Sequence, residues 1–350
     1  MRGNKRRTSS LQAVAVAAVC LLFAATALFG LYKCFSRPPE LSESTLSAGQ
    51  EQLQAAETES DAQTSGETSL TNRKDSFYTI LLSGLDDENG GSDTNLLMAL
   101  DAEGGSIHVV SLPRDTLLNV SWSVKKLNNA YHHGGITRTV EEVSNLLGIP
   151  VDYYVTVDVE GFVALVDELG GIDFDVPVRM SYDDPTQDLH IHYEAGMQHL
   201  DGEDVLKVAR CRNNSDGPGS YPDNVYLAYP DGDIGRTRTQ QQLISAILKK
   251  ALSNPQKLNA YVELFLEYVD TDLAFGEVLW FAQPALGLDF SSGFSSATLE
   301  GENVYYVDSS GYRWGSCYQL DPEAALETVN SLINPFDEPM TADDLNIFQK

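Results

Sequence analysis

From Thr8 to Tyr32 the chain carries no charged residue, and from Leu11 the run is rich in Ala, Leu and Val. A helix needs about 20 apolar residues to cross a bilayer core, so this segment is long enough to span one. Arg2, Lys5, Arg6 and Arg7 stand before it, and Lys33 and Arg37 after it. The heavier basic flank favours an N-terminus held on the cytoplasmic side, with everything that follows outside. A cleaved signal peptide usually has a shorter apolar core, about 7–15 residues, with its small-x-small site beyond it. Here Ala24-Ala25-Thr26-Ala27 lies within the run. The expectation is a cytoplasmic segment 1–10, an uncleaved transmembrane anchor 11–32 and an exported remainder.

Residues 33–74 are dominated by Ser, Thr, Glu, Gln and Ala, with almost no large apolar side chains. Such a stretch cannot bury enough surface to order itself and is expected to be a flexible extracytoplasmic tether. From Phe77 the pattern changes. Tyr78–Leu82, Leu96–Leu100 and Ile107–Val110 are short, nearly continuous apolar runs, as expected of strands covered on both faces. Strands also fit Tyr153–Val157, Ile172–Val176, Ser296–Leu299 and Val304–Val307. Val140, Val143, Leu146 and Leu147 share one face of a helix stopped by Gly148. Phe162 to Leu169 repeats this before Gly170-Gly171. Asp201 reads as the N-cap of a helix through Ala209. Gln240–Leu252, Leu258–Tyr268 and Pro322–Leu332 complete the helical segments. Interleaved strands and helices predict an α/β fold, a three-layer α/β/α domain with a mixed central sheet over residues 75–335. The acidic stretch 336–350 is expected to be a loose tail.

The formal net charge is −28, from 51 acidic and 23 basic residues. A chain this acidic is not built for non-specific binding to nucleic acid or anionic lipid. Any polyanion must be met by a local group of arginines, and four segments stand out. The loop Ser83–Thr94 holds several carboxylates and glycines between two strands. Asp86 and Asp93 are placed there to share a hard divalent cation such as Mg²⁺, which takes oxygen ligands; a solvated acidic turn is the alternative. Ser111-Leu112-Pro113-Arg114-Asp115-Thr116 follows a strand directly. It presents Arg114 either as a planar fork for phosphate oxygens or as half of an Arg–Asp pair. Arg210-Cys211-Arg212 puts two arginines on one face if the backbone is extended. Gly232-Asp233-Ile234-Gly235-Arg236 leads through Gln240 into an amphipathic helix, whose N-terminus itself favours an anion, with Arg236 and Gln240 on one face; a solvated polar first turn is the alternative. His190-x-His192 places two imidazoles on one strand face without an evident third ligand. Cys211 and Cys317 are either buried free thiols or, in an exported domain, one disulfide. No G-x-S-x-G, P-loop or H-E-x-x-H pattern occurs, so serine or zinc hydrolysis lacks support.

Taken in order, these segments resemble the LytR-CpsA-Psr family of cell-wall transferases. The matching pieces are Ile80–Asp101, Val110–Thr116, Lys126-Leu127-Asn128-Asn129-Ala130-Tyr131 with Gly134-Gly135, Val151–Val176, Gly196–Arg212 and Asp233–Lys250. The resemblance implies an apolar pocket for a polyprenyl chain, with arginines around its pyrophosphate. It assigns Asp86 and Asp93 to Mg²⁺. Arg114, Lys126, Arg210, Arg212, Arg236 and Gln240 become contacts to the pyrophosphate and head group, and Asp233 the base. The implied reaction attaches a glycopolymer from a polyprenyl-pyrophosphate carrier to peptidoglycan through a phosphodiester. A hydrolase using the same site, and a non-catalytic binder or regulator of wall-polymer synthesis, are the alternatives. Three departures stand out. Thr239 occupies the place of the second Arg in the family's Gly-Arg-x-x-Arg-Gln, with Arg238 one place earlier. Asn129 stands where His is common. The link from Asn213 to Asp231 is longer than usual.

Overall fold

The structure, a computed structural model, describes residues 39–41, 72–85, 91–184, 189–215, 225–286, 292–308 and 310–349. The expected cytoplasmic segment, the anchor and most of the tether lie outside the described residues, as does Asp86. No helix of the described residues is long and apolar enough to cross a membrane.

Three apolar runs form the spine of a six-stranded mixed sheet. Strands β1 (Phe77–Leu85), β2 (Ser92–Asp101) and β3 (Ser106–Leu112) make an antiparallel meander. The chain then adds β4 (Tyr153–Val157) parallel to β1, β11 (Asp270–Thr271) antiparallel to β4, and β12 (Phe294–Thr298) parallel to β3. The order across the sheet is β11-β4-β1-β2-β3-β12.

Period-two alternation explains why these strands read as unbroken apolar runs: both faces are covered. Leu81, Leu97 and Val110 align across the register. They share one core with Val143, Leu146 and Leu147 of α2 (Gly135–Leu147) and with Val329 and Ile333. Their neighbours Ile80, Leu96 and Val109 turn to the opposite face. There they meet Phe281 of α7 (Phe275–Leu286), with Ile244 of α5 (Asp233–Leu252) and Phe265 of α6 (Leu258–Tyr268) packed alongside. Helices therefore lie on both sides of the sheet, as the interleaved pattern predicts.

A smaller apolar cluster lies beside α5. Helices α3 (Val159–Glu168) and α4 (Gly202–Arg210) pack against each other, and β5 (Ile172–Val176) pairs with β8 (Gly196–Leu200). Both helices are capped by aspartates: Asp158 accepts from the Gly161 N–H and Asp201 from the Asp204 N–H. Val166, Ile172, Val205 and Leu243 meet in this second core. Leu243 is a residue of α5, so that helix contributes to both cores. Its place is set by Gln241, whose Nε2 donates to the Ala297 carbonyl of β12 at 2.7 Å.

Two expectations are corrected. The segment 336–350 does not hang loose over its described part. Phe336, Met340 and Ile347 are buried in the main core, and Asn346 donates its N–H to the Leu146 carbonyl. Acidic composition conceals this because the apolar residues are widely spaced. Nor does the whole tether stand clear of the domain: the Pro39 and Glu40 carbonyls accept from the Tyr78 and Tyr153 hydroxyls. One helical boundary also differs and one helix is additional. Helix α5 begins at Asp233, about two turns before the expected start at Gln240, and α7 has no counterpart among the expected segments.

Gly148 caps α2 in the left-handed region, at φ 65°. A Cβ there would stand 1.9 Å from the Asp344 carbonyl oxygen. Gly148→Ala is therefore expected to cost about 3 kcal/mol in urea unfolding, from the backbone penalty and displacement of the C-terminal segment. Gln241→Ala, which leaves the Ala297 carbonyl without this donor, is expected to cost about 1–3 kcal/mol in the same measurement.

Candidate active site

Asp93, Arg114 and Lys126 form one group at an end of the sheet, and Arg210, Arg212, Arg236 and Gln240 form a second. The first forms where β1 and β3 end and β2 begins. Pro113 starts a turn closed by the Thr116 N–H on its carbonyl at 3.0 Å. Arg114 emerges from this turn. Its Nη1 lies 2.5 Å from Asp93 Oδ1, and its Nε 3.9 Å from Asp115 Oδ1. Its close partner is thus the carboxylate of the preceding loop, rather than the neighbour it follows in sequence. Asp115 instead receives Lys126 Nζ at 2.9 Å, and Lys126 also donates to the Ser316 carbonyl.

Backbone bonds tie these pieces together. The Asn128 N–H donates to the Arg114 carbonyl and the Leu127 N–H to the Thr116 carbonyl, both at 2.9 Å. The short helix α1 (Leu127–Ala130) is thereby stapled to the Pro113-Arg114 turn. The acidic loop is fixed at its root by a buried network that sequence reasoning missed. Ser83 Oγ donates to Asn95 Oδ1 at 2.9 Å, and Asn95 Nδ2 donates back to the Ser92 carbonyl. The signal was there in principle, since polar residues facing inward from apolar strands need partners.

The second group joins the end of α4 to the start of α5. Cys211 follows α4 in extended conformation and is buried, so Arg210 and Arg212 on either side of it are both exposed. Gln240 Nε2 reaches across from α5 to the Ala209 carbonyl at 3.0 Å. Arg236, one turn earlier, lies close enough to Cys211 and Tyr229 to bear on both. Burial pushes the Cys211 thiol up to about 12, and the Arg236 charge opposes the shift. Burial raises the Tyr229 hydroxyl to about 12 as well, against Thr239 and Arg236.

The Gly-Arg pair has a steric reason. A Cβ on Gly235 would lie 2.6 Å from the Cβ and Cγ of Tyr229, so only glycine lets this ring pack beneath the first turn. Thr239 is buried and donates its hydroxyl to the Gly235 carbonyl at 3.0 Å. Arg238 points outward to Asp231, whose carboxyl it holds below the usual carboxylate range. The residue that replaces the family's second arginine is thus folded into the helix, and its cationic neighbour is paired on the surface. Asp233 is the first residue of α5; its side chain, like Asp86, lies outside the described set.

The groups share an end of the sheet because β3 and β12 run parallel. Thr298 pairs with Ser111, three residues before Arg114, and Gln241 holds α5 to Ala297. Along α5 a cavity of about 630 Å³ opens, lined by Ile172, Gln241, Gln242, Lys249 and Phe294 among others. Cys211 and Cys317 are both free and buried, in separate places, so no disulfide joins them. Asp93 is an oxygen donor beside a guanidinium, a donor type that fits a hard cation such as Mg²⁺, which would share the carboxylate with Arg114.

Comparison with known proteins bears on this arrangement. The LytR_cpsA_psr family model matches residues 43–330. TagV of Bacillus subtilis (strain 168), named a polyisoprenyl-teichoic acid–peptidoglycan teichoic acid transferase, is 31% identical over 269 residues, 73% of this chain and 63% of TagV. TagU of Bacillus cereus (strain ATCC 14579), named for the same transfer, is 35% identical over 177 residues, 49% of this chain and 52% of TagU. The chain therefore spans between about half and 63% of the length of these curated relatives. The crystal structure of B. subtilis TagV is similar in fold, with a TM-score of 0.59 at 29% identity over 73% of this chain and 94% of that one. With the family's model matched across all the strand-end segments described above, the chain belongs to the LytR-CpsA-Psr family.

Proposed function

We propose that the protein transfers a glycopolymer from a polyprenyl-pyrophosphate carrier to a peptidoglycan hydroxyl, leaving a phosphodiester. The observation that carries this is the gathering of Arg210, Arg212, Arg236 and Gln240 at one helix junction, on the sheet end that bears Arg114 and Lys126. On a chain of net charge −28, such a grouping fits a polyanion of compact, multiply charged form. A pyrophosphate meets that description, and the names of TagV and TagU describe a transfer of this kind.

In this reading the arginines and Lys126 hold the pyrophosphate oxygens, and Gln240 keeps the α4–α5 junction in register. The polyprenyl chain takes the apolar side of the site, toward the layer between the sheet and α5–α7 and the cavity beside Phe294. The acceptor hydroxyl oxygen attacks the glycan-proximal phosphorus. A P–O bond forms there, and the bond to the bridging oxygen breaks with its electron pair. Polyprenyl phosphate leaves, and the hydroxyl proton passes to a carboxylate, which we assign to Asp233. Positioned cations lower the barrier by meeting the charge that gathers on the oxygens. Mg²⁺, when bound through Asp93 and Asp86, supplies further charge neutralisation at the phosphates. The anchor 11–32 would keep the domain on the outer membrane face, where lipid carrier and wall polymer meet.

The test is a transfer assay with the full chain in detergent, a synthetic polyprenyl-pyrophosphate glycan, Mg²⁺ and peptidoglycan oligomers, read by mass spectrometry. Arg114→Ala is expected to lower phosphodiester product by about 10²-fold or more. Stability should fall by less than about 1 kcal/mol, because both partners in the Arg114–Asp93 pair are more than 40% exposed. Release of phosphoglycan without linkage would identify a hydrolase instead. Tight carrier binding with no product from any donor would identify a binding protein.

A further inference from the structure

The fold supplies the third ligand that the His190-x-His192 pair lacks in sequence. Strand β6 (Met180–Asp184) pairs antiparallel with β7 (Leu189–Tyr193), and Asp183 stands directly opposite His190. His192 lies two residues along β7, so both imidazoles leave the same face of the strand. Asp183 Oδ1 is 2.6 Å from His190 Nδ1 and 3.2 Å from His192 Nε2. The three ligating atoms all lie within 4.8 Å of one another. We propose that Asp183, His190 and His192 form a binding site for a first-row transition ion of the Zn²⁺ class, distinct from the arginine site, with water completing its shell.

The donor set decides the class of ion. Two imidazoles and one carboxylate suit Zn²⁺, Ni²⁺ or Cu²⁺, whereas Mg²⁺ and Ca²⁺ take oxygen ligands almost throughout. Metal–ligand bonds of about 2.0–2.2 Å in a tetrahedron put ligand atoms about 3.3 Å apart. The Asp183–His192 separation already meets that spacing, and the Asp183–His190 separation needs to open by less than an ångström. Both imidazoles are exposed, so an ion can reach them. Asp183 is less so, with a fifth of its side chain open to solvent.

The strands that present the ligands are held from below. Met180 and Ile191 are buried in the second core, so the opposite faces of β6 and β7 are anchored. The Ser181 N–H donates to Asn214 Oδ1 at 2.7 Å, and the Asp183 N–H to Ser215 Oγ at 3.1 Å. The Tyr193 hydroxyl donates to Asp204 Oδ1 on α4 at 2.6 Å. The site is thus built on positioned backbone, which lowers the cost of assembling it. An ion there clips β6 to β7. Through Asn214 and Ser215 it also steadies β9 (Asn213–Ser215), which pairs with β10 (Val225–Leu227) and directly follows Arg212.

The experiment uses the full 350-residue chain in detergent, stripped of metal by chelation and titrated with Zn²⁺ by calorimetry, with Mg²⁺ present in excess. Wild type is expected to bind one equivalent more than the His190→Gln/His192→Gln double variant. Asp183→Asn should bind at least tenfold more weakly. Zn²⁺ should raise the wild-type melting temperature and leave that of the double variant unmoved. Should the double variant fail to fold, the wild type alone still decides the matter. Zn²⁺ should then shield His190 and His192 from diethyl pyrocarbonate, mapped by peptide mass spectrometry. Equal Zn²⁺ binding by wild type and a folded double variant, or unshielded modification at both histidines, overturns the proposal. Either result would leave the three side chains a hydrogen-bonded surface cluster only.

Discussion

Two adjacent glutamines on one helix hold the arrangement together. Gln240 donates to the carbonyl at the end of α4, and Gln241 to the carbonyl of the edge strand β12. Because they are neighbours, they project from α5 about 100° apart. The helix is therefore fixed in rotation as well as position. It joins the second core to the central sheet through Leu243 and Ile244, and it carries Arg236 to the exposed pair at the end of α4. Apolar packing is non-directional, so these two bonds add an orientational constraint that the cores alone do not supply. The directional bonds are what place the arginine.

Electrostatics explain why this placement matters. The chain as a whole repels anions, so an anionic substrate is attracted only where positive side chains outnumber the acidic ones beside them. Asp115 is occupied by Lys126, and Asp231 by Arg238. Asp93 lies 2.5 Å from Arg114 Nη1. The acidic background also disfavours adsorption on anionic lipid, which leaves recognition to the specific site.

Much of the sheet was legible because fully buried strands leave near-continuous apolar runs, and Tyr78–Leu82, Leu96–Leu100 and Ile107–Val110 each became one. Aspartate caps and glycine stops were legible for the same local reason, as at Asp201 and Gly148. Long-range facts were not. The partner of Arg114 lies 21 residues back in the chain, and nothing in Pro113-Arg114-Asp115 favours Asp93 over Asp115. Asp183 was invisible as a companion to His190 until the hairpin register brought them opposite each other. The start of α5 was not legible because Asp233 to Thr239 carries a single large apolar residue, Ile234, and so shows no apolar stripe. The same limit applies to the C-terminal segment, where scattered apolar residues, Phe336, Met340 and Ile347 with Leu345 beside them, enter the main core.

The role proposed for the arginines at the α4–α5 junction and at the end of β3 is to recognise a pyrophosphate carried on an isoprenoid. Its most direct measurement is calorimetric titration of the full chain in detergent with farnesyl pyrophosphate, farnesyl monophosphate and farnesol, repeated with Arg236→Ala. Affinity is expected to fall in the order pyrophosphate, monophosphate, alcohol, with a loss of about tenfold or more for pyrophosphate alone in the variant. Equal affinity for all three ligands, or a variant that binds pyrophosphate as well as wild type does, would contradict it.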